Sequence, residues 1–295
     1  MKVTRFGIIC LTLLLTLGLW SCGSKKEKED NNDEFKQAEE SLSDEIKDVA
    51  YNIPSPSEIP YLLQATGAEF NQSLLSDRKK ADQYLSRNDK AALNLGIYAA
   101  DIGYLVPYDK TQEAINYVNA AKKLADNLGV LGAFDAELLK RFEANISVKD
   151  SLAHMVDEAI HQTEKYMKND NRSKPAALML TGSFVEGLYI STGLIKSYPK
   201  NILKDDDRNL ILTPLIRVII QQRESVDELI KMLGTVEQSE PVNTLLADFN
   251  SLQANYKAMN IEEHLKNNRA DLVLNDKNLD ELTKTIEKLR SSIVN

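Results

Sequence analysis

Apolar residues recur at three- and four-residue intervals over most of the chain from Phe35 onward, and they nowhere alternate with polar residues at a sustained period of two. That spacing lines one face of a helix, so the pattern predicts helices and no strands. Helices are expected near 34–50, through the short run 61–66, near 71–86 and 89–105, and over 109–129, 135–145 and 147–170. More follow near 176–196, 210–234, 241–258 and 278–293, with a further segment at 261–270. Breakers separate them. The prolines at 54, 56 and 60 force an extended entry, Gly67 and Gly129 stand where C-cap glycines belong, and Pro107 helps to stop the 89–105 helix. Ser147 with Asp150 three residues on is a capping-box variant. The fold class expected is all-α, about ten helices in a multi-helix bundle.

Two of these helices are apolar nearly all round and carry the same polar interruption. "ALNLGIYAADIGYL" (92–105) holds Asp101 and Tyr104; "ALMLTGSFVEGLYI" (177–190) holds Glu186 and Tyr189. Aligning Ala91 with Ala176 matches both acids and both tyrosines at one offset. "LADNLG" (124–129) then echoes "LIKMLG" (229–234), and "LLKRFEAN" (138–145) echoes "LLADFNSL" (245–252), at larger offsets. The charged stretch "SYPKNILKDDDRN" would be the insertion that accounts for the difference. Self-similarity in fixed order is the mark of a repeat, so two diverged helical halves are expected, 91–170 and 176–260, packed together within a single domain over 51–295.

The first twenty-odd residues read differently. Lys2 and Arg5 precede the apolar run "FGIICLTLLLTLGLW", the layout of a secretory signal. The run closes on Leu19, Trp20, Ser21 and Cys22, which resembles the lipobox of bacterial lipoproteins, with Trp20 in place of the usual small residue. That resemblance implies a signal peptide over 1–21, cleavage before Cys22 and acyl chains (palmitate among them) on its sulfur. Two or more chains on one residue anchor a protein stably in a membrane. Residues 22–50 begin "CGSKKEKEDNNDEF", with no apolar side chain between the cysteine and Phe35. Such a stretch cannot bury enough surface to offset its ordering entropy, so a flexible acidic tether is expected, with a loose helix at its end. An acidic run so close to the lipidated cysteine is similar to the surface-export signal of Bacteroidota lipoproteins, here interleaved with Lys25, Lys26 and Lys28. Lipobox, tether and helical body together resemble all-helical envelope lipoproteins of that group, which implies outer-membrane anchoring and outward display. The resemblance brings no active-site residues with it.

Composition narrows the chemistry. The formal charge of −8 becomes −10 once Lys2 and Arg5 leave with the signal, and no long basic block exists, which argues against nucleic acid as a partner. Cys10 leaves with the signal and Cys22 carries lipid, so the mature chain has no thiol for a disulfide, a metal or a nucleophile. There is no P-loop, dinucleotide fingerprint, Gly-x-Ser-x-Gly elbow or His-Glu-x-x-His motif, and no cofactor is called for. "KDDDR" (204–208) lacks the glycine and terminal glutamate of a calcium loop.

Two constellations remain. Leu93, Ile97, Asp101 and Tyr104 share one helix face, as do Leu178, Gly182, Glu186 and Tyr189. If the halves pack about a two-fold axis, Asp101 and Glu186 meet inside the protein. Buried carboxylates must be protonated, paired or hydrogen-bonded. The plain reading is therefore that each acid is held structurally, by a helix end, a tyrosine or an arginine such as Arg217. The functional reading is an acidic ligand pocket of Asp101, Tyr104, Glu186 and Tyr189, or a hydrolase dyad, which requires a water-accessible cleft. The other constellation is Glu158, His161 and Glu164 in "DEAIHQTE". A ferritin-like di-iron site needs a second Glu-x-x-His, which the sequence lacks. "AIHQTE" resembles the Gly-x-His-x-x-Glu motif of imelysin-like helical lipoproteins, with Ala159 replacing the glycine, and implies a metal- or heme-related alternative. The expectation carried forward is a lipid-anchored, non-catalytic helical module that binds an envelope protein or a small ligand.

Overall fold

The computed structural model describes residues 67–130, 173–197, 205–259 and 277–295, with isolated positions at 60, 61, 64, 155, 158 and 162; side chains are described from Ile219 onward in the helix that opens at Asp205, and not at 278. These residues all belong to one compact unit, Ser41–Asn295. Among them the secondary structure is wholly helical. Two 3-10 turns, Gln72–Leu74 and Arg78–Lys80, precede seven α-helices: α1 (Ala81–Tyr84), α2 (Asn88–Leu105), α3 (Thr111–Asn127), α4 (Ser173–Ser197), α5 (Asp205–Thr235), α6 (Val242–Ala258) and α7 (Lys277–Val294). The signal, Cys22, the tether and the expected helices at 34–50, 135–145 and 261–270 lie outside the described residues, as does nearly all of 147–170.

α2 and α4 form the centre. Both are apolar around their whole circumference, which is the pattern of a helix enclosed on every side; 14 of the 18 residues of α2 are buried. α4 is long and apolar enough to cross a membrane, yet 83% of its most apolar stretch is buried within the protein, as befits a core helix. Its hydroxyls are absorbed locally: Thr181 donates to the Ala177 carbonyl at 2.8 Å and Thr192 to that of Leu188 at 2.9 Å. α3 packs on α2, α5 and α7 pack on α4, and α6 lies against both α5 and α7. These outer helices are one-sided. α3 buries Tyr117, Ala120, Ala121 and Leu124, and α7 buries Leu282, Ile286, Leu289 and Ile293, each set at helical spacing.

The α2–α4 contact is made backbone to backbone. A Cβ added at Gly96 would stand 2.0 Å from the Met179 carbonyl oxygen, and one at Gly182 would stand 2.0 Å from that of Leu93. No side chain fits at either place. The contact is reciprocal: Gly96 meets Met179 and Gly182 meets Leu93, with like positions (Leu93 and Met179, Gly96 and Gly182) 86 residues apart, one more than the offset that aligns Asp101 with Glu186.

One expected helix is not formed. Over 71–86 the chain takes two short turns and the four-residue α1 instead. Asn71 caps the first turn and Asp77 the second through their side chains, and such local bonds compete with helix propagation. Between them Leu75 is extended and Ser76 is drawn inward to Asp101. The charged stretch 197–209 also differs from expectation, since α5 begins inside it at Asp205. Gly67 and Gly129 do adopt the left-handed conformation, with φ of 86° and 68°.

Candidate functional site

Asp101 and Glu186 meet at the α2–α4 interface, five residues after Gly96 and four after Gly182. Both are fully buried. The close glycine crossing brings a short Asp and a longer Glu near enough to influence each other's charge.

Each acid has a further partner from a distant element. Glu186 is gripped in the bidentate manner by Arg290 of α7: Nε donates to Oε2 and Nη2 to Oε1, both at 2.9 Å. Such a planar fork matches a carboxylate better than any single ammonium could. The guanidinium also lies over the Tyr189 ring, 4.4 Å from its centroid, and the Arg290 side chain is only 14% exposed. Asp101 accepts a short hydrogen bond from the Ser76 hydroxyl at Oδ2 and a 3.4 Å one from the Ser76 amide at Oδ1. Ser76 is fixed in turn by the Tyr117 hydroxyl, which donates to its carbonyl oxygen.

Electrostatics follow from this enclosure. Burial pushes the Asp101 carboxyl well above the usual carboxylate range, and the neighbouring Glu186 charge adds to the effect; the Ser76 hydrogen bond and Arg290 oppose it. Burial raises Glu186 too, against the opposing hydrogen bonds and charge of Arg290. Tyrosines complete the wall. Tyr98 packs edge-on to Tyr117 with centroids 5.7 Å apart and sits 6.4 Å from Tyr84. Burial pushes Tyr84 up to about 12 and Tyr98 and Tyr117 higher, so all three are neutral phenols.

Of the four residues expected at a pocket, three are therefore brought together: Asp101, Glu186 and, through Arg290, Tyr189. Tyr104 is engaged elsewhere. Its hydroxyl accepts from the Asn71 amide at 2.7 Å and donates to the Asn71 carbonyl at 3.2 Å, and its ring stacks on Phe70 at 5.4 Å. The partners missed from the sequence are Ser76, Arg290 and Tyr117. Arg290 left a trace, because it falls four residues after Ile286 and so flanks the buried stripe of α7. The suggested Arg217 lies among the side chains outside the described residues.

A groove of about 230 Å³ lies beside this cluster, walled by the Asn71–Leu74 turn, α4 and α7, with Tyr189, Thr192, Lys196, Thr283 and Glu287 among its lining residues. Asp101, Glu186 and Tyr104 do not line it. Gly193 gives Leu74 room to pack there, since a Cβ would stand 2.5 Å from its Cδ2. Lys196 and Glu287 pair across its mouth at 3.6 Å.

At the other constellation, Glu158 is helical and accepts from the Gln162 side chain at 3.1 Å. His161 and Glu164 lie outside the described residues. Among the described residues no group of three or more His, Cys, Asp or Glu gathers to hold a metal. Comparison with family models, with curated proteins and with solved structures finds no match to this chain.

Proposed function

We propose that this chain is a lipid-anchored cell-envelope lipoprotein whose helical domain is a non-catalytic binding or scaffold module. The observation that carries the non-catalytic part is the enclosure of Asp101 and Glu186. A carboxylate dyad that works on a substrate must reach water and a scissile bond. These two groups are at zero exposure, and their hydrogen bonds go to Ser76 and to Arg290. That favours a structural tie over the hydrolase reading. The groove lined by Tyr189, Lys196 and Glu287 supplies a polar surface for a small ligand.

We read α2 and α4 as the equivalent helices of a diverged duplication within a bundle of about ten helices. The reciprocal contact of Gly96 and Gly182 supports a local two-fold axis between the two helices, one residue out of the register that aligns their acids and tyrosines.

The anchoring half of the proposal rests on Leu19, Trp20, Ser21 and Cys22. Metabolic labelling with a fatty-acid analogue tests it: label and membrane association are expected in the wild type and absent in Cys22→Ala. A Cys22→Ala protein that keeps its label would refute anchoring at this residue. The imelysin-like alternative, with Glu158, His161 and Glu164, is tested by titrating the purified protein with iron and zinc, and absence of uptake removes it.

A further inference from the structure

The α2–α4 interface holds more negative than positive groups. Two acids are fully buried there side by side, each raising or lowering the other's hold on its proton. The groups facing them from each packed element can be named. Ser76 of the preceding segment, Tyr84 of α1, Tyr98 of α2, Tyr117 of α3, Tyr189 of α4 and Arg290 of α7 interact with one acid or both, while Asp77, Arg78, Asp82, Glu113 and Glu287 act on the tyrosines around them. Arg290 is the cation among them that bonds to the pair, and it bonds to Glu186 alone. Arg78 is committed to Glu113 at 3.4 Å. The tyrosines bring no charge. One cation thus faces two acids in a site without solvent, and two buried carboxyl groups beside each other cannot both stay ionised against a single compensating charge. The Ser76 hydroxyl and amide do favour an ionised Asp101, but two neutral donors stand against complete burial beside a like charge.

We propose that Asp101 and Glu186 share one bound proton at neutral pH, that this proton latches the Ser76 segment and α7 onto the α2–α4 pair, and that its loss at alkaline pH opens the groove those elements wall. Glu186 keeps the negative charge because Arg290 grips it, and Asp101 keeps the proton. The latch sits where it can act on the groove. Asn71 and Leu74 precede Ser76 on one wall, Thr283 and Glu287 precede Arg290 on another, and Tyr189 follows Glu186 on the third.

The sign of the pH effect is fixed by the direction of the shift. An unfolded aspartate releases its proton near pH 4, whereas folded Asp101 holds it to higher pH. Between those two values the native state binds one more proton than the unfolded chain. Stability is therefore complete below about pH 4 and falls as pH rises, by up to tenfold in the folding constant per unit, until folded Asp101 itself titrates.

The test compares the detergent-solubilised full-length wild type with Asp101→Asn, whose amide keeps an acceptor for Ser76 and a permanent donor for Glu186. Urea unfolding from about pH 5 to 9 should show the wild type losing stability towards tenfold per unit. Asp101→Asn should lack that component and exceed the wild type at pH 8. Infrared difference spectra at pH 7 should show a protonated-carboxyl stretch in the wild type that Asp101→Asn lacks. Hydrogen exchange, corrected for intrinsic rate, should show protection of 71–77 and α7 falling together with rising pH in the wild type alone. An unchanged pH slope in Asp101→Asn, or no protonated-carboxyl band in the wild type, overturns the shared proton. Protection that does not move overturns the latch. Should Asp101→Asn fail to fold, the wild-type band and its loss with rising pH decide the matter.

Discussion

Replacing Arg290 with Met removes the guanidinium while keeping most of the side-chain length and its apolar stem. Glu186 then lies at zero exposure without its cation. Two charge-assisted hydrogen bonds at 2.9 Å disappear, each worth about 1.5–3 kcal/mol, and the stack on Tyr189 goes with them, at roughly 1 kcal/mol. Methionine restores part of the packing. The net cost at pH 8 should be about 4 kcal/mol, within the 3–5 kcal/mol typical of stranding one member of a buried pair. Set against the 5–15 kcal/mol that stabilises a whole domain, this is a large loss. Urea denaturation should show a lower midpoint at unchanged slope. At pH 4 the penalty should shrink, because Glu186 can then take its own proton without drawing it from a dilute supply. A double-mutant cycle completes the test: in a Glu186→Gln background, Arg290→Met should cost at least about 2 kcal/mol less than it does alone. A penalty below about 1 kcal/mol at pH 8, or equal penalties in both backgrounds, would refute the assignment of Arg290 as the partner that keeps Glu186 charged.

Further outcomes test the surrounding framework. Gly96→Ala and Gly182→Ala should each cost roughly 3 kcal/mol or more, since the new methyl group meets backbone at 2.0 Å and overpacking alone costs about 1–3 kcal/mol; thermal melts check this. Gly187→Ala and Gly234→Ala are the controls. Both glycines are helical with open space where a Cβ would go, so stability should hold or rise by up to about 1 kcal/mol. Tyr117→Phe should cost about 1–2 kcal/mol by removing the donor to the Ser76 carbonyl, with loss of protection at the Ser76 amide as the readout. Leu289→Ala should cost about 2–5 kcal/mol through the cavity it leaves under α7, measured by the same urea titration.

The long helices were legible because their burial runs along their whole length. α2, α3, α4, α6 and α7 fall within a few residues of the intervals that apolar spacing predicts, since one continuous contact face enforces one continuous period. The meeting of Asp101 and Glu186 was legible for a related reason: a single acid in the middle of a long apolar run has nowhere to go but inward. What the sequence hides is the rest of the bonding. Arg290 stands 104 residues from Glu186 and Ser76 stands 25 before Asp101, and no local pattern marks either distance. The same long-range pull explains the misreading of 71–86. Helical spacing is present there, but Ser76 gains more from Asp101 and Tyr117 than its segment gains from a continuous helix. The tyrosine match also misleads in part, for Tyr189 supports Arg290 while Tyr104 clamps Asn71.

The glycine crossing has a consequence for how this core can change. Because two backbones touch at Gly96 and Gly182, the gap between α2 and α4 works as a caliper set to its minimum. Any wider setting would carry Asp101 and Glu186 apart and admit water between them, and each acid would then ionise independently. The charge state of the pair is thus chosen about a turn away, by two positions that carry no side chain at all. A substitution there would need no polar atom to alter the acid chemistry of the interior.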